Sequence, residues 1–324
     1  MDLRAATATT IAAALLLVTA CADIEVVSAP HSPEAAANSS TEADVGASTG
    51  TATQFSDERV RDIDQAETMR HVWRLANRIG VRVRGTEGER RGARYIKRRF
   101  ASYGYRVRIQ KFEADGRTSR NVYAWWPGAI DYPVIVGAHM DTVQSSPGAN
   151  DNASGVASML EVARLIAGKR PAKFVRFVAF GSEEYGSNGE HHIGSTVFVR
   201  RLGKEGRRKL AGMVSVDMVA DGRPLLVGNS GIAGDVVARA LYRKINRAGI
   251  DVSYRTLCDC SDNGPFEHAG IPASFMWSGD EPNYHDDSDT VRNMKPDDLL
   301  RSARAVRIFV LALDYELIRR FRRG

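Results

Sequence analysis

The chain has 324 residues, 43% of them hydrophobic, and its 45 Lys and Arg residues exceed its 39 Asp and Glu residues by six. No nucleic-acid-binding motif accompanies this positive charge, so a nucleic acid is excluded as the expected partner and solvated helix faces are predicted instead. After an N-terminal stretch of 56 residues is set aside, 268 remain, enough for one α/β domain with a substantial core and too few for two.

The first twenty residues have the features of an export signal. Residues 11–20 are an apolar run, too short to span a bilayer and long enough for the hydrophobic region of a signal peptide. Cys21 follows Val18, Thr19 and Ala20, a sequence that resembles the bacterial lipobox, in which the cysteine is lipidated. We therefore expect a lipoprotein-type signal peptide at 1–20 and an exported protein, held at the cell membrane through Cys21 on the extracellular or periplasmic side. An ordinary secretory signal with a chance cysteine is the alternative.

Residues 21–56 are predicted to be a disordered tether. They are rich in Ala, Ser, Thr, Glu and Gly, with no aromatic residue before Phe55 and no sustained periodicity. Such a composition buries too little apolar surface to offset the entropy lost on ordering the chain. Residues 57–324 are therefore expected to form a single catalytic domain, and the expected assembly is a monomer.

Helical and strand-like patterns alternate through the remaining chain. Helical spacing is found at residues 57–79, 87–103, 154–167 and 296–320, with a break at 85–88. Strand-like runs are found at residues 105–112, 121–126, 133–138, 173–180, 213–217 and 273–277. This alternation predicts a three-layer α/β/α fold, with a mostly parallel central sheet and helices on both faces. The edge strands are expected to be antiparallel.

Acidic residues and histidines follow several of these strands. The segments that carry them are Gly137–Asp141, Asn150–Gly155, Gly181–Glu184, Val216–Met218 and Tyr284–Asp286. In an open α/β sheet, ligands bind outside the carboxyl ends of the strands. His139, Glu183 and Asp217 stand at or just after such ends, so we expect them to share one site.

The donors in these segments suit two divalent metal ions. Imidazole and carboxylate together are typical ligands of zinc-like ions. Three carboxylates and a bridging hydroxide neutralise four positive charges, and two neutral histidines complete the ligand set. One ion could be held by His139, Asp217 and one oxygen of Asp151, and the other by Glu184, His285 and the second oxygen of Asp151. Such a pair of ions hydrolyses amide or phosphate bonds, which predicts a metallohydrolase.

Three further side chains are expected to take part in the chemistry. Glu183, the neighbour of Glu184, can face the attacking water as general base and return the proton to the leaving amine. Asp141, two residues beyond His139, is expected to accept a hydrogen bond that fixes the tautomer of that imidazole. The Tyr284 hydroxyl is a candidate for stabilising the developing oxyanion.

From about residue 70 to 315, these motifs give the chain a resemblance to the two-zinc aminopeptidases of metallopeptidase family 28, in clan MH. The matching segments are 137–143, 150–155, 180–186, 217–218, 261–262, 265–266, 284–285 and 289–290. The resemblance implies the zinc-peptidase fold and two Zn²⁺ or other divalent ions, with the ligands His139, Asp151, Glu184, Asp217 and His285. It also implies a peptide substrate with a free N-terminus, and as catalytic residues Glu183, Asp141 and Tyr284.

Some features depart from the family pattern. Residues 187–193 form a stretch a few residues longer than usual, and its His191 and His192 are expected to be loop surface rather than ligands. His268 is expected to pack within a helix. Cys258 and Cys260 could close only a small strained ring, so their pairing stays open.

The leading function is removal of N-terminal amino acids from peptides outside the cytoplasmic membrane by metal-activated water. A carboxypeptidase or dipeptidase on the same scaffold is an alternative, because related families share the ligand set. Only 33 positions separate Glu184 from Asp217 and 68 separate Asp217 from His285, which leaves no room for the lid domain of the related amidohydrolases. A one-zinc glutaminyl cyclase is disfavoured by the complete donor set. A non-catalytic binding lipoprotein would be expected to lack a ligand or the base, and none is missing.

Overall fold

The computed structural model describes residues 60–279 and 281–323. The predicted signal peptide, Cys21, the tether and residues 57–59 of the predicted domain lie outside the described residues. The strands are β1 Arg106–Ala114, β2 Arg117–Trp125, β3 Val134–His139, β4 Val175–Phe180, β5 Gly212–Val216, β6 Leu225–Asn229, β7 Val252–Thr256 and β8 Ala273–Trp277.

Helices connect these strands. The α-helices are α1 Gln65–Val72, α2 Glu87–Ser102, α3 Gly155–Ile166, α4 Ile193–Arg208, α5 Val236–Arg247, α6 Asn263–His268, α7 Pro296–Leu311 and α8 Tyr315–Phe321. Two π-helical turns, Trp73–Ile79 and Ala149–Ser154, and one 3-10 turn, Arg170–Lys173, complete the helical segments. Within the part of the chain that the structure describes, no helix is both long and apolar enough to cross a membrane.

The strands form one mixed sheet in the order β1-β2-β4-β3-β5-β8-β6-β7. The four central strands β4, β3, β5 and β8 are parallel to one another. At one edge β1 and β2 pair antiparallel, and β2 runs antiparallel to β4. At the other edge β6 and β7 are parallel to each other and antiparallel to β8. The predicted fold, a mostly parallel centre with antiparallel edges, is confirmed.

Each face of the sheet has its own apolar core. Central strand β3 is buried along its whole length, as expected for a strand covered on both sides. On one face, buried side chains of α1, α2, α3, α5 and α7 pack together, among them Phe100, Leu160 and Phe309. On the other face, Phe198 of α4 and Phe266 of α6 pack against Phe180. These two cores make the three layers.

The structure contains strands that were not among the predicted elements and divides one predicted helix. Strands β6 and β7 were absent from the predicted elements, and each has only five residues. The C-terminal stretch, predicted as one helix, is divided into α7 and α8. The division occurs because Asp314 is extended and its carboxylate accepts a hydrogen bond from the Leu317 N–H at 2.7 Å, which caps a new helix.

Candidate metal centre

The parallel strands bring the predicted donors to one edge of the sheet. His139 is the last residue of β3 and is paired in register with Phe180, the last residue of β4. Asp217 directly follows β5, and its N–H donates to the carbonyl of Met276 in β8. Asp151 lies in the turn before α3, where its own φ and ψ are not helical, and His285 lies in the loop between β8 and α7. The adjacent carboxyl ends of β3, β4 and β5 therefore bring these side chains together.

Three groups of three donors meet there, and two of them share Asp151. Those two are His139, Asp151 and Asp217, and Asp151, Glu184 and His285; the third is His139, Glu183 and Glu184. The Nε2 atom of His139 lies 3.1 Å from Asp151 Oδ1 and 3.1 Å from Asp217 Oδ1. The Nε2 atom of His285 lies 3.4 Å from Asp151 Oδ2 and 3.0 Å from Glu184 Oε2. The two oxygens of Asp151 thus face different histidines.

The donor spacing fits divalent cations. Two ligand atoms about 2 Å from one tetrahedral ion are about 3.4 Å apart, close to the observed separations. Glu184 Oε1 and His285 Nε2 are buried and have no hydrogen-bond partner, although His285 Nε2 lies near two carboxylates. Imidazole with carboxylate is a donor set typical of zinc.

The buried carboxylates give the site a strong affinity for positive charge. Burial raises the pKa of Glu183 and of Glu184 well above the usual value, and neighbouring carboxylates raise it further. Burial lowers the pKa of His139, but the charges of Asp217 and Glu183 outweigh it and hold that pKa well above the usual value. Protons held in this way compensate the negative charge, and metal ions can take their place.

The backbone has positive φ angles at several residues next to these donors. Among the described residues, five that are not glycine have positive φ, and four of them border the site: Ser182, His192, Met218 and His285, at φ between 48° and 58°. Such conformations are uncommon for residues with a Cβ and cluster at functional sites. Here they turn the chain just before Glu183 and just after Asp217.

Asp141 contacts the backbone of both glutamates. Its carboxylate accepts the N–H of Glu183 at 3.1 Å and the N–H of Glu184 at 3.3 Å. The nearest carboxylate oxygen lies 3.8 Å from His139 Nδ1, whereas the backbone carbonyl of Asp141 lies 3.3 Å from that atom. The side chain of Asp141 therefore supports the turn that presents Glu183 and Glu184, and its main chain contacts the imidazole.

Tyr284 lies at the mouth of the site. Its ring stacks on the ring of His285 with centroids 3.7 Å apart, and the residue is 49% exposed. Burial of part of the ring and the nearby carboxylates raise the pKa of its hydroxyl, so this hydroxyl keeps its proton and remains a donor.

Two histidines differ from the sequence predictions. His192 was predicted to be loop surface, but it is buried and its Nε2 lies 3.0 Å from Glu183 Oε1; His191 is exposed, as predicted. His268 was predicted to pack within a helix, but it is exposed at the end of α6 and contacts Asp259 at 2.9 Å. The cysteines whose pairing was left open, Cys258 and Cys260, form a disulfide.

Three residues without a predicted role support the donors. Asp289 accepts the N–H of Asn150 at 2.7 Å and of Asp151 at 3.0 Å. Ser261 donates its hydroxyl to Asp217 Oδ2 at 2.8 Å. Arg82 is buried beside the loop after β3. Asp289 and Ser261 belong to the matching motifs, but no local pattern links them to their partners, and no pattern marks Arg82.

Comparison with known proteins finds peptidases among the relatives of this chain. A family model described as "Peptidase family M28" matches residues 121–310. The chain is 33% identical to leupeptin-inactivating enzyme 1 of Streptomyces exfoliatus, over 67% of this chain and 50% of that protein. It is 30% identical to the aminopeptidase YwaD of Bacillus subtilis, over 75% of this chain and 53% of that protein. The chain spans about half the length of these curated relatives.

Solved structures share the fold. A zinc aminopeptidase from Bacillus subtilis superposes with a TM-score of 0.72 at 18% identity, covering 80% of this chain and 97% of that one. A glutaminyl cyclase from Fimbriiglobus ruber superposes with a TM-score of 0.67 at 24% identity, covering 80% and 98%. At such identities these likenesses establish the fold, which both activities use.

Proposed function

We propose that this chain, which belongs to peptidase family M28, is a metal-dependent exopeptidase that hydrolyses the peptide bond next to a free N-terminus. The observation that carries the proposal is Asp151, whose two oxygens lie 3.1 Å and 3.4 Å from two different histidines. A carboxylate placed in this way can bridge two ions, the arrangement used by two-metal hydrolases. The proposed ligands of two Zn²⁺ ions are His139, Asp151, Glu184, Asp217 and His285.

The remaining side chains account for proton transfer and charge. When bound, the ions supply Lewis acidity toward the substrate carbonyl and lower the pKa of water. Glu183 accepts a proton from the attacking water and returns it to the amine as the C–N bond breaks. Asp141 holds the backbone of Glu183 in place, and Ser261 holds Asp217. Tyr284 donates its hydroxyl to the oxygen on which negative charge develops.

A free N-terminus is the proposed feature of the substrate. The carboxylates around the site favour the α-ammonium of a peptide, and several relatives carry aminopeptidase in their names. A carboxypeptidase or dipeptidase would use the same donors. A glutaminyl cyclase needs one zinc ion, and the presence of both donor groups favours hydrolysis instead.

Export and a membrane anchor are also proposed. The apolar run at 11–20 and Cys21 support a signal peptide at 1–20, a lipid on Cys21 and a tether at 21–56 ahead of a domain at 57–324. One relative, 31% identical over 53% of this chain and 41% of that protein, is a probable lipoprotein aminopeptidase, LpqL of Mycobacterium tuberculosis. The protein would then meet its peptides outside the cytoplasmic membrane, as a monomer.

Leucine anilide and its N-acetylated form test the proposal. We expect hydrolysis of the free amine alone, loss of activity with a chelator and recovery with zinc. Glu183→Gln should lower kcat by about 10²- to 10⁴-fold with bound zinc unchanged, because it removes the proton acceptor and keeps the ligands. The measurements are initial rates and metal content by mass spectrometry.

Glu190→Gln is the matched control, because Glu190 is an exposed glutamate in the neighbouring loop. It should hydrolyse leucine anilide at the wild-type rate. Equal hydrolysis of the acetylated compound would contradict an aminopeptidase, and activity that survives the chelator would contradict a metal-dependent one.

A further inference from the structure

His192 is a buried residue of the site to which the proposed mechanism gives no role. It lies at the end of the loop at 187–193 and is 7% exposed. Its Nε2 atom is 3.0 Å from Oε1 of Glu183. The other oxygen, Oε2, lies 3.8 Å from Nε2 of His139. The carboxylate of Glu183 is therefore placed between two imidazoles, with one oxygen directed to His192 and the other toward the proposed ligands.

The backbone of His192 is fixed relative to Glu183. The His192 N–H donates to the Glu183 carbonyl at 2.8 Å, and the next N–H, of Ile193, donates to the Ser182 carbonyl at 2.8 Å. His192 itself has a φ of 53° and immediately precedes α4. Two hydrogen bonds thus join the start of α4 to the turn that carries the proposed base.

A second imidazole also contacts the ring of His192. The ring of His191 contacts it edge to face, with centroids 4.1 Å apart. A glutamate has three rotatable side-chain bonds, and a contact from a fixed ring limits them. The buried ring of His192 therefore restricts the position of Glu183 Oε1.

We propose that His192 is the positioning residue of Glu183, holding Oε1 so that Oε2 faces the attacking water. This inference rests on the proposed function, because it gives His192 a role through the base. One proton between His192 Nε2 and Glu183 Oε1 makes a hydrogen bond, whether it is carried by the histidine or by the glutamate. Orientation of a base contributes to rate because proton transfer requires the acceptor within hydrogen-bond reach.

Two substitutions separate this role from a structural one. Asparagine tolerates positive φ, but its amide is too short to reach Glu183, whereas the glutamine amide reaches the place of the histidine Nε2. His192→Asn should lower kcat for leucine anilide by about 10- to 100-fold with little change in KM. His192→Gln should recover most of that loss. Thermal midpoints and zinc content should match wild type.

His268→Gln is the control, because His268 also contacts a carboxylate, at 2.9 Å, but on the exposed end of α6. It should keep the wild-type kcat. A kcat within about twofold of wild type in His192→Asn would overturn the inference. So would equal losses in the asparagine and glutamine variants, since that pattern indicates a packing role.

A measurement without turnover separates this inference from the proposed function. In metal-free protein, the ring ¹⁵N chemical shifts of His192 should change on Glu183→Ala, while those of His268 should not. Failure of wild-type protein to hydrolyse leucine anilide would reject the proposed function alone. Unchanged His192 shifts in Glu183→Ala would reject the contact, whatever reaction the protein catalyses.

Discussion

Arg82 shows how one buried side chain can organise the loops of a site. Its guanidinium donates to five backbone carbonyls, those of Leu75, Gly80, Met140, Pro147 and Gly148, at 2.8 to 3.2 Å. Burial lowers its pKa to about 10, so it stays charged at neutral pH. Three of the five carbonyls lie between His139 and Asp151. Arg82 therefore fixes the path of the chain from one proposed ligand to the next.

Arg82→Lys is expected to lower the free energy of unfolding by about 3 kcal/mol or more. An ammonium has three donors and no planar fork, so buried carbonyls would lose their partners. Urea unfolding of the metal-free protein measures this loss. Arg91→Lys is the control: Arg91 is exposed and donates to one carbonyl, at 3.1 Å, so a change within about 0.5 kcal/mol is expected. Equal effects at the two positions would contradict the role given to Arg82.

At the scale of elements, close contact between the start of α3 and the end of β5 sets the distance between Asp151 and Asp217. A Cβ on Gly155 would lie 2.1 Å from the carbonyl oxygen of Val216, so only glycine fits. Asn152 reinforces the contact, since its amide donates to that same carbonyl at 3.0 Å and its Oδ1 accepts the Gly155 N–H at 2.9 Å. The helix is thereby held against the strand that carries the second carboxylate.

Gly155→Ala should therefore destabilise the protein by about 1–3 kcal/mol, although alanine is the better helix former. Because the added methyl separates α3 from β5, zinc affinity should fall as well. Thermal unfolding and calorimetric zinc titration measure the two effects. Gly206→Ala is the control: the nearest atom to its added Cβ is Leu202 Cβ at 3.0 Å, against 2.1 Å to a backbone oxygen at Gly155, so a smaller loss of stability is expected. A Gly155→Ala protein as stable as wild type would contradict the close contact.

At the scale of the whole molecule, all the proposed site residues lie between positions 139 and 289, within the described part of the chain. The proposed anchor precedes them by more than one hundred positions. Catalysis and attachment should therefore be separable. This separation is a prediction about the full chain.

Cys21→Ser is expected to move the exported protein from the detergent phase to the aqueous phase in a detergent partition assay. Replacing the thiol of Cys21 with a hydroxyl removes the site of lipid attachment. The kcat for leucine anilide should stay the same, because the proposed metal ligands are unchanged. Mass spectrometry of the N-terminal peptide identifies the lipid in the wild type. Retention of Cys21→Ser in the detergent phase would contradict anchoring through this residue.

The main elements and the proposed donors could be predicted because their signals are local. The apolar runs before His139 and Glu183 predict buried strands, and the carboxyl ends of parallel strands necessarily meet at one edge. Strand β6 was missed because Gly228 and Asn229 end its apolar run after three residues. Strand β7 was missed because it is partly exposed at the sheet edge and carries polar residues in place of an apolar run. The division of α7 from α8 was missed because one capping aspartate outweighs a continuous apolar pattern.

The sequence by itself determined the fold class, the family and the order of the proposed donors, since these depend on residue type and short spacing. Only the tertiary structure decided that His192 is buried against Glu183, that Arg82 joins five carbonyls and that Asp289 holds the backbone of Asp151. Asp289 is 138 positions from Asp151, and Arg82 is 58 from Met140. Contacts between such distant residues depend on how helices pack on the sheet, and no local pattern of amino acids records that packing.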